Sequence, residues 1–339
     1  YILDVYREVI EHPLSLPPVI KRHLDLTSGN DRGRIYRVLP DGFEQPPLPR
    51  LSQASTAELV ATLGHANGWH RDTASRLLYE RQDKSAVEAL KKLASGGESA
   101  EGRMHALYAL DGLGALTAET WLASLSDEHA RVRQHAVRLA EPLAATDSQL
   151  QAKLLSLVDD EDALVRYQLA FSLGEIPASK ERTAALAAIA RHDAADRWGR
   201  LAVQSSLAAG AGDLLATLLG DQQFLAAQGA PTLAGKLAAQ VGAEQRTEEL
   251  AAVLRNVAAL KADDGAMASA TIRGLGEGLA RHGKSLHELA ESTDNPQIRE
   301  VVAALLSDAR GRAADADQPI NHQRRRASDM RRGRAGPVE

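Results

Sequence analysis

The stretch DEDALVRYQLAFSLGEI, residues Asp160–Ile176, decides the fold. Its apolar residues Val165, Leu169 and Leu173 recur at every fourth position, which is a helical period. Acidic residues precede the pattern and a glycine ends it, as expected for the two ends of a helix. The same pattern returns in DEHARVRQHAVRLA, residues 127–140. The recurrence predicts that this helix is one unit of a repeat.

Paired helices are predicted at a nearly fixed period from residue 55 onward. Small residues expected at the helix contacts are 32, 30, 34 and 32 residues apart: Ala74, Ala106, Ala136, Ala170 and Ala202. Hydrophobic residues make up 44% of the chain but aromatic residues only 4%, so alanine and leucine must build the core. Units of about 30 residues with two helices each are typical of α-solenoids. We therefore expect an all-α, HEAT-like α-solenoid of the armadillo type over residues 55–308.

Capping boxes are expected to begin three of the first helices. In this motif a serine hydroxyl and a side chain three residues later satisfy the free amides of the first turn. The boxes pair Ser55 with Glu58, Ser85 with Glu88, and Ser148 with Gln151. The second helices are expected near residues 69–79, 102–113, 130–140, 163–173 and 198–207. Later helices are expected near residues 213–219, 232–241, 247–260, 267–281 and 296–306, with less regular spacing and an interruption at residues 229–231.

The two ends of the chain differ from the repeats. Residues 1–10 and 31–38 are rich in β-branched and aromatic residues, which predicts two strands, with a short helix from Pro18 to Leu24 between them. A lone strand pair is marginally stable, so we expect residues 1–39 to complete a sheet that lies elsewhere. Residues 40–54 read as a linker and residues 309–339 as a disordered, arginine-rich tail. Because the chain opens with Tyr1, we expect it to be a piece of something longer.

Charge and composition exclude several classes of function. The net charge is −5, and residues 310–339 contribute +4 from eight arginines and four acids, which leaves −9 on residues 1–309. The body should therefore repel nucleic acid, and only the tail could attract it. The chain has no cysteine, which excludes disulfides, thiolate zinc sites, a cysteine nucleophile and covalent haem attachment within it. It has no apolar run of about 18 residues, so no membrane span is expected.

Five arginines recur at matching positions of the second helices: Arg71, Arg103, Arg133, Arg166 and Arg200. We expect them to stack as a ladder along one face. With acids such as Asp127 and Asp162 in the preceding turns, the first interpretation is a ladder of salt bridges between repeats. The second is a groove that binds anions.

Other motifs have a structural and a functional interpretation. His105 and His135 follow adjacent ladder arginines by two residues; they are expected to pack between helices, and a metal site would need a third ligand. The glycines of residues 274–278 resemble a phosphate loop, but they lie within a helical pattern and favour close helix packing. The tryptophans are expected to be core or edge residues, with a ligand platform as the alternative: Trp69, Trp121 and Trp198. No catalytic, cofactor-binding or metal-binding residue can be named.

Two groups of residues resemble a known family. The first is DVYREVIEHP, residues 4–13, followed by DRGRIYRV, residues 31–38. The second comprises GWHRDTASRLL, HALYALDGLG, HAVRLAE and DRW, which begin at residues 68, 105, 135 and 196. Together, over about residues 1–305, they resemble the planctomycete-type membrane-bound dehydrogenases. These are haem-binding proteins with a sugar-dehydrogenase-like β-propeller, HEAT repeats and a cytochrome c domain that bears CxxCH.

The resemblance implies a fragment of a larger, exported protein. Residues 1–39 would be the last strands of the propeller, and the repeats would contact the propeller and cytochrome domains or another protein. The parent would oxidise a carbohydrate-like substrate in the periplasm or cell envelope and pass electrons to a c-type haem, with pyrroloquinoline quinone as a further candidate cofactor. Most of the propeller and the CxxCH motif are missing from the chain. Five residues match the propeller-end motif without a known role: Asp4, Tyr6, Arg7, Glu11 and His12.

Two functions remain open at this point. In the first, the chain is the scaffold segment of such a dehydrogenase and has no chemistry of its own. In the second, it is an independent HEAT-repeat module that binds a protein partner.

Overall fold

The computed structural model describes residues 1–6, 12–45, 47–292, 295, 296, 298–304 and 307. These residues belong to two compact units, and the boundary falls between Arg50 and Leu51. The predicted disordered tail and two of the propeller-motif residues, Arg7 and Glu11, lie outside the described residues.

The first unit contains a two-stranded antiparallel sheet. Strand β1 is Ile2–Asp4 and strand β2 is Arg34–Tyr36, with Ile2 opposite Tyr36. Helix α1, Pro18–Lys21, lies between them in sequence and is shorter than predicted. Gly29 has a φ of +75°, and a Cβ there would collide with the carbonyl oxygen of Tyr6. None of the hydrophobic residues described in this unit is buried.

The second unit is built from helices. Its first eight are α2 Thr56–Thr62, α3 Gly68–Arg81, α4 Val87–Gly96, α5 Ala100–Gly112, α6 Ala118–Ser124, α7 Ala130–Ala144, α8 Ser148–Leu155 and α9 Ala163–Ser172. The next eight are α10 Lys180–His192, α11 Arg197–Ser205, α12 Ala211–Leu219, α13 Gln222–Leu225, α14 Ala230–Glu244, α15 Thr247–Ala258, α16 Gly265–Ala280 and α17 Leu286–Ser292. No helix in the part of the chain that the structure describes has both the length and the hydropathy to cross a lipid bilayer.

The helices stack in two layers. First helices contact first helices along the series α2, α4, α6, α8, α10, α12 and α15. Second helices contact second helices along the series α3, α5, α7, α9, α11, α14 and α16. A hydrophobic core of alanine and leucine runs between the layers from Leu51 to Val302. The second unit is therefore an all-α solenoid, which confirms the predicted fold class.

The helix caps fix the register of the repeat. The second helices α3, α5, α7, α9 and α11 have their N-caps at Asn67, Ser99, His129, Asp162 and Asp196, which gives repeats of 32, 30, 33 and 34 residues. The five alanines aligned in the sequence are all fully buried. However, Ala170 lies eight residues after its cap and Ala202 six, whereas the other three lie seven after theirs. The predicted alignment was therefore one residue out at these two positions.

Two of the three predicted capping boxes are wrong. Ser55 and Glu58 form the box as predicted. At the other two sites an aspartate one or two residues earlier accepts the amide hydrogen bond: Asp83 accepts from Ser85, and Asp147 from Leu150. An aspartate carboxylate competes successfully with the serine hydroxyl for the cap, because the positive end of the helix also stabilises its negative charge.

A glycine seam joins α14 to α16. Gly274 and Gly278 of α16 face Gly235 and Gly242 of α14, and a Cβ at either α16 glycine would collide with a carbonyl oxygen of α14. The glycines of residues 274–278 therefore allow two helix backbones to approach closely, within a helix rather than between a strand and a helix. Residues 229–231, expected to interrupt the array, begin α14 instead.

Candidate interaction face

The ladder arginines occupy the same position in helices α3, α5, α7, α9 and α11, four residues after the N-cap. Each donates a hydrogen bond from Nη1 to the carbonyl oxygen six residues before it, over 2.6 to 2.9 Å. The five arginines are Arg71, Arg103, Arg133, Arg166 and Arg200. The acceptor lies in the loop just before the helix, so each guanidinium fastens that loop to the helix that follows.

The three central arginines also bind aspartates of the next repeat. The Asp127 carboxylate accepts from Arg103, 2.7 Å from Nε and 2.8 Å from Nη2. Asp160 accepts from Arg133 at the same two distances, and Asp193 accepts from Arg166 over 2.9 and 2.6 Å. Each pair has the two-pronged geometry that a planar guanidinium favours with a carboxylate.

These interactions form a continuous relay. The side chain of Asp127 binds Arg103 while its carbonyl oxygen accepts from Arg133, and Asp160 links Arg133 to Arg166 in the same way. The Asp160 side chain is only 5% exposed. Burial alone would raise the pKa of Asp160, but hydrogen bonds from Arg133 and from the Asp162 amide outweigh it and hold the pKa below its ordinary value. The relay therefore consists of charged pairs that fix how successive repeats stack.

The ladder differs from the sequence interpretation in two respects. Asp162, expected to pair in the ladder, instead caps α9 and binds Arg131, 2.5 Å away. At the ends of the ladder, Arg71 and Arg200 have no carboxylate within ion-pair distance among the described residues, and Nε of Arg71 is buried without a partner.

The three central guanidinium groups are already paired with aspartates, so they are poorly suited to an anion groove. A role of the ladder in interactions with other molecules stays a prediction.

A solvent-open groove of about 410 Å³ lies between α4 and α6. Its wall contains the Arg103–Asp127 pair and the hydroxyl groups of Ser95 and Ser124. Both hydroxyls donate to carbonyl oxygens of their own helices. The oxygen atoms of the two hydroxyls therefore remain as acceptors on the wall of the groove. The groove could not be found from the sequence, because its walls come from two repeats.

The histidines lie partly buried between neighbouring second helices. His135 Nδ1 is 2.9 Å from the Tyr108 hydroxyl, and His105 Nε2 is 3.9 Å from the Asp72 carboxylate. Burial lowers the pKa of both histidines from 6.5, and for His135 the charges of Arg138 and Arg131 lower the pKa further. In the described part of the chain, no group of three or more His, Asp or Glu side chains could hold a metal ion.

The outward face of the second helices carries residues 2, 5 and 9 positions after each N-cap. We call it the second-helix face. From α3 to α11, position 2 holds Trp69, Glu101, Arg131, Leu164 and Trp198; position 5 holds Asp72, Met104, Gln134, Tyr167 and Leu201; position 9 holds Arg76, Tyr108, Arg138, Phe171 and Ser205. The face is polar or charged over most of α3 to α7 and apolar over α9 and most of α11.

The three tryptophans have different environments. Trp121 is a core residue, 4% exposed, whereas Trp69 and Trp198 are 75% and 55% exposed on the second-helix face. The sequence signal that could have separated them is position: both exposed tryptophans lie two residues after the N-cap of a second helix.

The propeller-motif residues that the structure describes interact locally. The Asp4 carboxylate accepts from the Tyr6 amide over 3.0 Å, and the Arg34 guanidinium lies 4.5 Å from the centre of the Tyr6 ring. His12 Nδ1 accepts from the Leu14 amide. These contacts stabilise turns around the strand pair and assemble no catalytic group.

Comparison with known proteins gives a family match at the start of the chain and a designed repeat protein among the solved structures. Residues 1–42 match a family model described as a domain of unknown function (DUF7133). No curated protein matches the chain. Among solved structures, the designed armadillo repeat protein YIII(Dq)4CqI is 18% identical, with a TM-score of 0.25, and the match covers 75% of this chain and 99% of the designed one. The family match concerns the first unit and supports neither a dehydrogenase nor a haem protein specifically.

Proposed function

We propose that the chain is the scaffold segment of a larger exported oxidoreductase. It would serve as a rigid spacer and docking surface between a β-propeller that oxidises a carbohydrate-like substrate and a cytochrome c domain that accepts the electrons. The observation that carries the scaffold role is the continuous relay from Arg103 to Asp193. Charged pairs that fasten the central repeats to one another resist relative movement of their helices, as a spacer requires.

The first unit supports the propeller part of the proposal. Its strand pair leaves apolar side chains open to solvent, for example Leu3 at 74% and Ile35 at 69% exposed. Two three-residue strands cannot bury enough surface to be stable alone. Further strands of a larger sheet would cover these side chains.

The redox chemistry of the parent would take place outside this chain. A c-type haem requires cysteine thiols for covalent attachment, and the chain has no cysteine, so its residues do not fit that group. We assign no step of a reaction to any residue here. The periplasm or cell envelope is the proposed location because the resembling family is exported.

Cross-linking of the intact parent protein tests the proposal. A lysine-reactive cross-linker followed by mass spectrometry should join array lysines, such as Lys91 and Lys236, to both flanking domains. Cross-links confined to the array would contradict a spacer role.

The alternative function is an independent protein-binding module. The apolar part of the second-helix face favours it, because exposed apolar patches often mark interaction sites. Affinity capture with the chain separates the two functions. A stable, specific partner unrelated to any propeller or cytochrome would favour the module, and capture of those two domains would favour the scaffold.

A further inference from the structure

We propose that the groove between α4 and α6 binds a protein segment that carries two lysine side chains. The proposal goes beyond the scaffold function, because a scaffold and an independent binding module can both use such a site. It rests on the shape of the groove, on oxygen atoms of its wall that accept no hydrogen bond, and on the charge of its lining.

The groove follows the whole length of α6. A second hollow of about 260 Å³ adjoins the first and shares three lining residues with it: Ser95, Ala123 and Ser124. The lining runs from Thr117, the N-cap of α6, to Glu128 beyond the end of that helix. A helix of seven residues is about 10 Å long, which is the length of about three residues of an extended segment.

The wall of the groove offers acceptors of hydrogen bonds. The Ser95 and Ser124 hydroxyls donate to carbonyl oxygens of their own helices, so their oxygen atoms remain as acceptors. At the end of α4, the carbonyl oxygens of Ala94, Ser95 and Gly96 accept no hydrogen bond in the described part of the chain. Carbonyl groups at this end of a helix carry partial negative charge. A ligand that brings donors and positive charge fits this wall.

The two cations of the lining are already compensated. The Arg103 guanidinium holds the Asp127 carboxylate in a two-pronged pair, with 2.7 Å between Nε and the nearer oxygen. The Lys91 ammonium lies 3.0 Å from the carboxylate of Glu88, which is not part of the lining. The positive charges of the wall are therefore bound to carboxylates and do not repel a cationic ligand strongly.

Two carboxylates of the lining are less well compensated. Glu119 has no cation within ion-pair distance among the described residues, and Glu128 lies 3.5 Å from the already paired Arg103. Two cations against three carboxylates leave the lining with a net charge of −1. The charged residues next to the wall in sequence, Lys92 and Glu98, cancel each other. The groove is therefore negative overall, and a cation complements it.

The arrangement of the acceptors favours lysine over arginine. An ammonium group has three donors that can reach separate acceptors, whereas a guanidinium group prefers one carboxylate in a planar, two-pronged pair. The carboxylate that is held in that way, Asp127, is already occupied.

The positions of the free carboxylates favour a segment with two lysines. Glu119 lines only the smaller hollow and Glu128 only the larger, so the two lie at opposite ends of the groove. One exposed ion pair contributes little. Two lysines on one backbone bind both ends together, because the second contact is intramolecular once the first has formed.

Peptide binding to the full chain tests the proposal. The probe is a short fluorescein-labelled peptide of Gly and Ser with two Lys separated by one residue, which places both on the same side of an extended segment. The matched probe has acetyl-lysine at both positions. We expect fluorescence anisotropy to show binding of the lysine probe only. Ala123→Lys places an ammonium group in the groove and should weaken that binding about tenfold or more.

Charge variants test the electrostatic part of the proposal. Glu119→Gln with Glu128→Gln should weaken binding about fivefold, and Lys91→Gln should strengthen it. The control is Glu248→Gln with Glu277→Gln, which removes two exposed carboxylates of α15 and α16 and changes the net charge of the chain equally. The control should leave binding unchanged. Circular dichroism checks that each variant keeps its helices.

Thiol protection locates the bound peptide. The chain has no cysteine, so Ser126→Cys would introduce the single thiol of the protein, on the wall of the groove. The lysine probe should slow its alkylation by a maleimide. The control is Thr217→Cys on α12; both native hydroxyls are exposed and donate to the carbonyl oxygen four residues before them. Alkylation of the control should not respond to the probe.

Several outcomes would overturn the proposal. These are no binding of the lysine probe, equal binding of the acetyl-lysine probe, an equal loss in the control pair of charge variants, and equal protection of both thiols. Displacement of the probe by spermidine as effectively as by unlabelled peptide would assign the groove to a small amine and would also overturn it. The scaffold function is tested separately by cross-linking of the parent, so the two can fail independently.

Discussion

Asp160 contributes to the ladder with both its side chain and its backbone. The carboxylate binds Arg133 of the preceding repeat, and the carbonyl oxygen accepts from Arg166 of its own repeat. Replacing buried ion pairs by apolar residues is often neutral, so the pairs need not add much net stability. What the pairs add is specificity for one register of the repeats, because each aspartate can bind only the guanidinium that the correct stacking places beside it.

Removing one partner of a buried ion pair of the ladder should lower the stability of the fold. In Asp160→Asn the Arg133 guanidinium, 11% exposed, loses its counter-charge, and we expect the free energy of unfolding to fall by about 3 kcal/mol. Urea unfolding followed by circular dichroism at neutral pH measures the change. The control is Arg76→Gln, which breaks the exposed pair with Glu80 and should cost less than about 1 kcal/mol. Equal losses in both variants would contradict a special role for the relay.

The two histidines should make stability depend on pH. Their folded pKa values are lowered by burial, so the unfolded chain binds protons more readily than the folded chain. The stability they contribute is complete above about pH 6.5 and is lost as the pH falls through the lower folded values. When the pH falls from about 7.5 to about 5.5, the double variant His105→Gln and His135→Gln should lose less thermal stability than the unmutated chain. A parallel loss in both proteins would assign the pH dependence to other groups.

At the scale of elements, small residues set the distance between helices. Alanines fill the seams of the early repeats, whereas glycines form the seam between α14 and α16. The sequence predicted close packing at residues 274–278 because a phosphate loop must lie between a strand and a helix, whereas these glycines lie within a helical pattern. The partner helix could not be predicted, since α14 and α16 are separated in the chain by α15.

Two glycines of α16 provide a matched test of the seam. A Cβ at Gly278 would collide with the Ala239 carbonyl oxygen and lie 2.7 Å from the Ala243 amide nitrogen. Gly276 has nothing within 4 Å of that position. We expect Gly278→Ala to destabilise the protein by about 1 to 3 kcal/mol through overpacking. Gly276→Ala should stabilise it by about 0.5 to 1 kcal/mol through helix propensity. Changes of the same sign, measured by urea unfolding, would rule out the close approach.

For the whole molecule, the important property is that each repeat contacts its neighbours. In such arrays stability is a sum of repeat and interface contributions, so coupling between sites should fall with their separation along the array. The second-helix face is a product of the same stacking. Its apolar part spans two repeats, and no single helix could provide it.

A pair of double-mutant cycles tests this nearest-neighbour behaviour. Asp127→Asn and Asp160→Asn both act on Arg133, the first through the loop that supplies its carbonyl acceptor, and should show a coupling of at least about 0.5 kcal/mol. Asp127→Asn and Asp193→Asn share no partner, and their effects should add. Urea unfolding of the single and double variants gives both coupling energies. Strong coupling in the second cycle would show that the relay acts as one cooperative unit.

The sequence by itself determined the helices, the length of the repeat and the positions of the ladder arginines. These follow from helical periodicity, which is local, and from a period that repeats in the chain. It also indicated the strand pair but made both strands too long: β1 ends at Asp4, before the positive φ of Tyr6, and β2 spans only Arg34–Tyr36.

Only the tertiary structure decided which charges pair and which aromatic residues face solvent. Asp160 and Asp162 are neighbours in sequence, yet one binds Arg133 and the other Arg131, because the loop before α9 turns their carboxylates toward different parts of α7. Trp121 and Trp198 look alike in sequence, but one lies on a first helix that packs into the core and the other on the outer surface of a second helix. Both outcomes depend on contacts between residues about 30 positions apart, which the stacking of the repeats creates and which local sequence patterns do not specify.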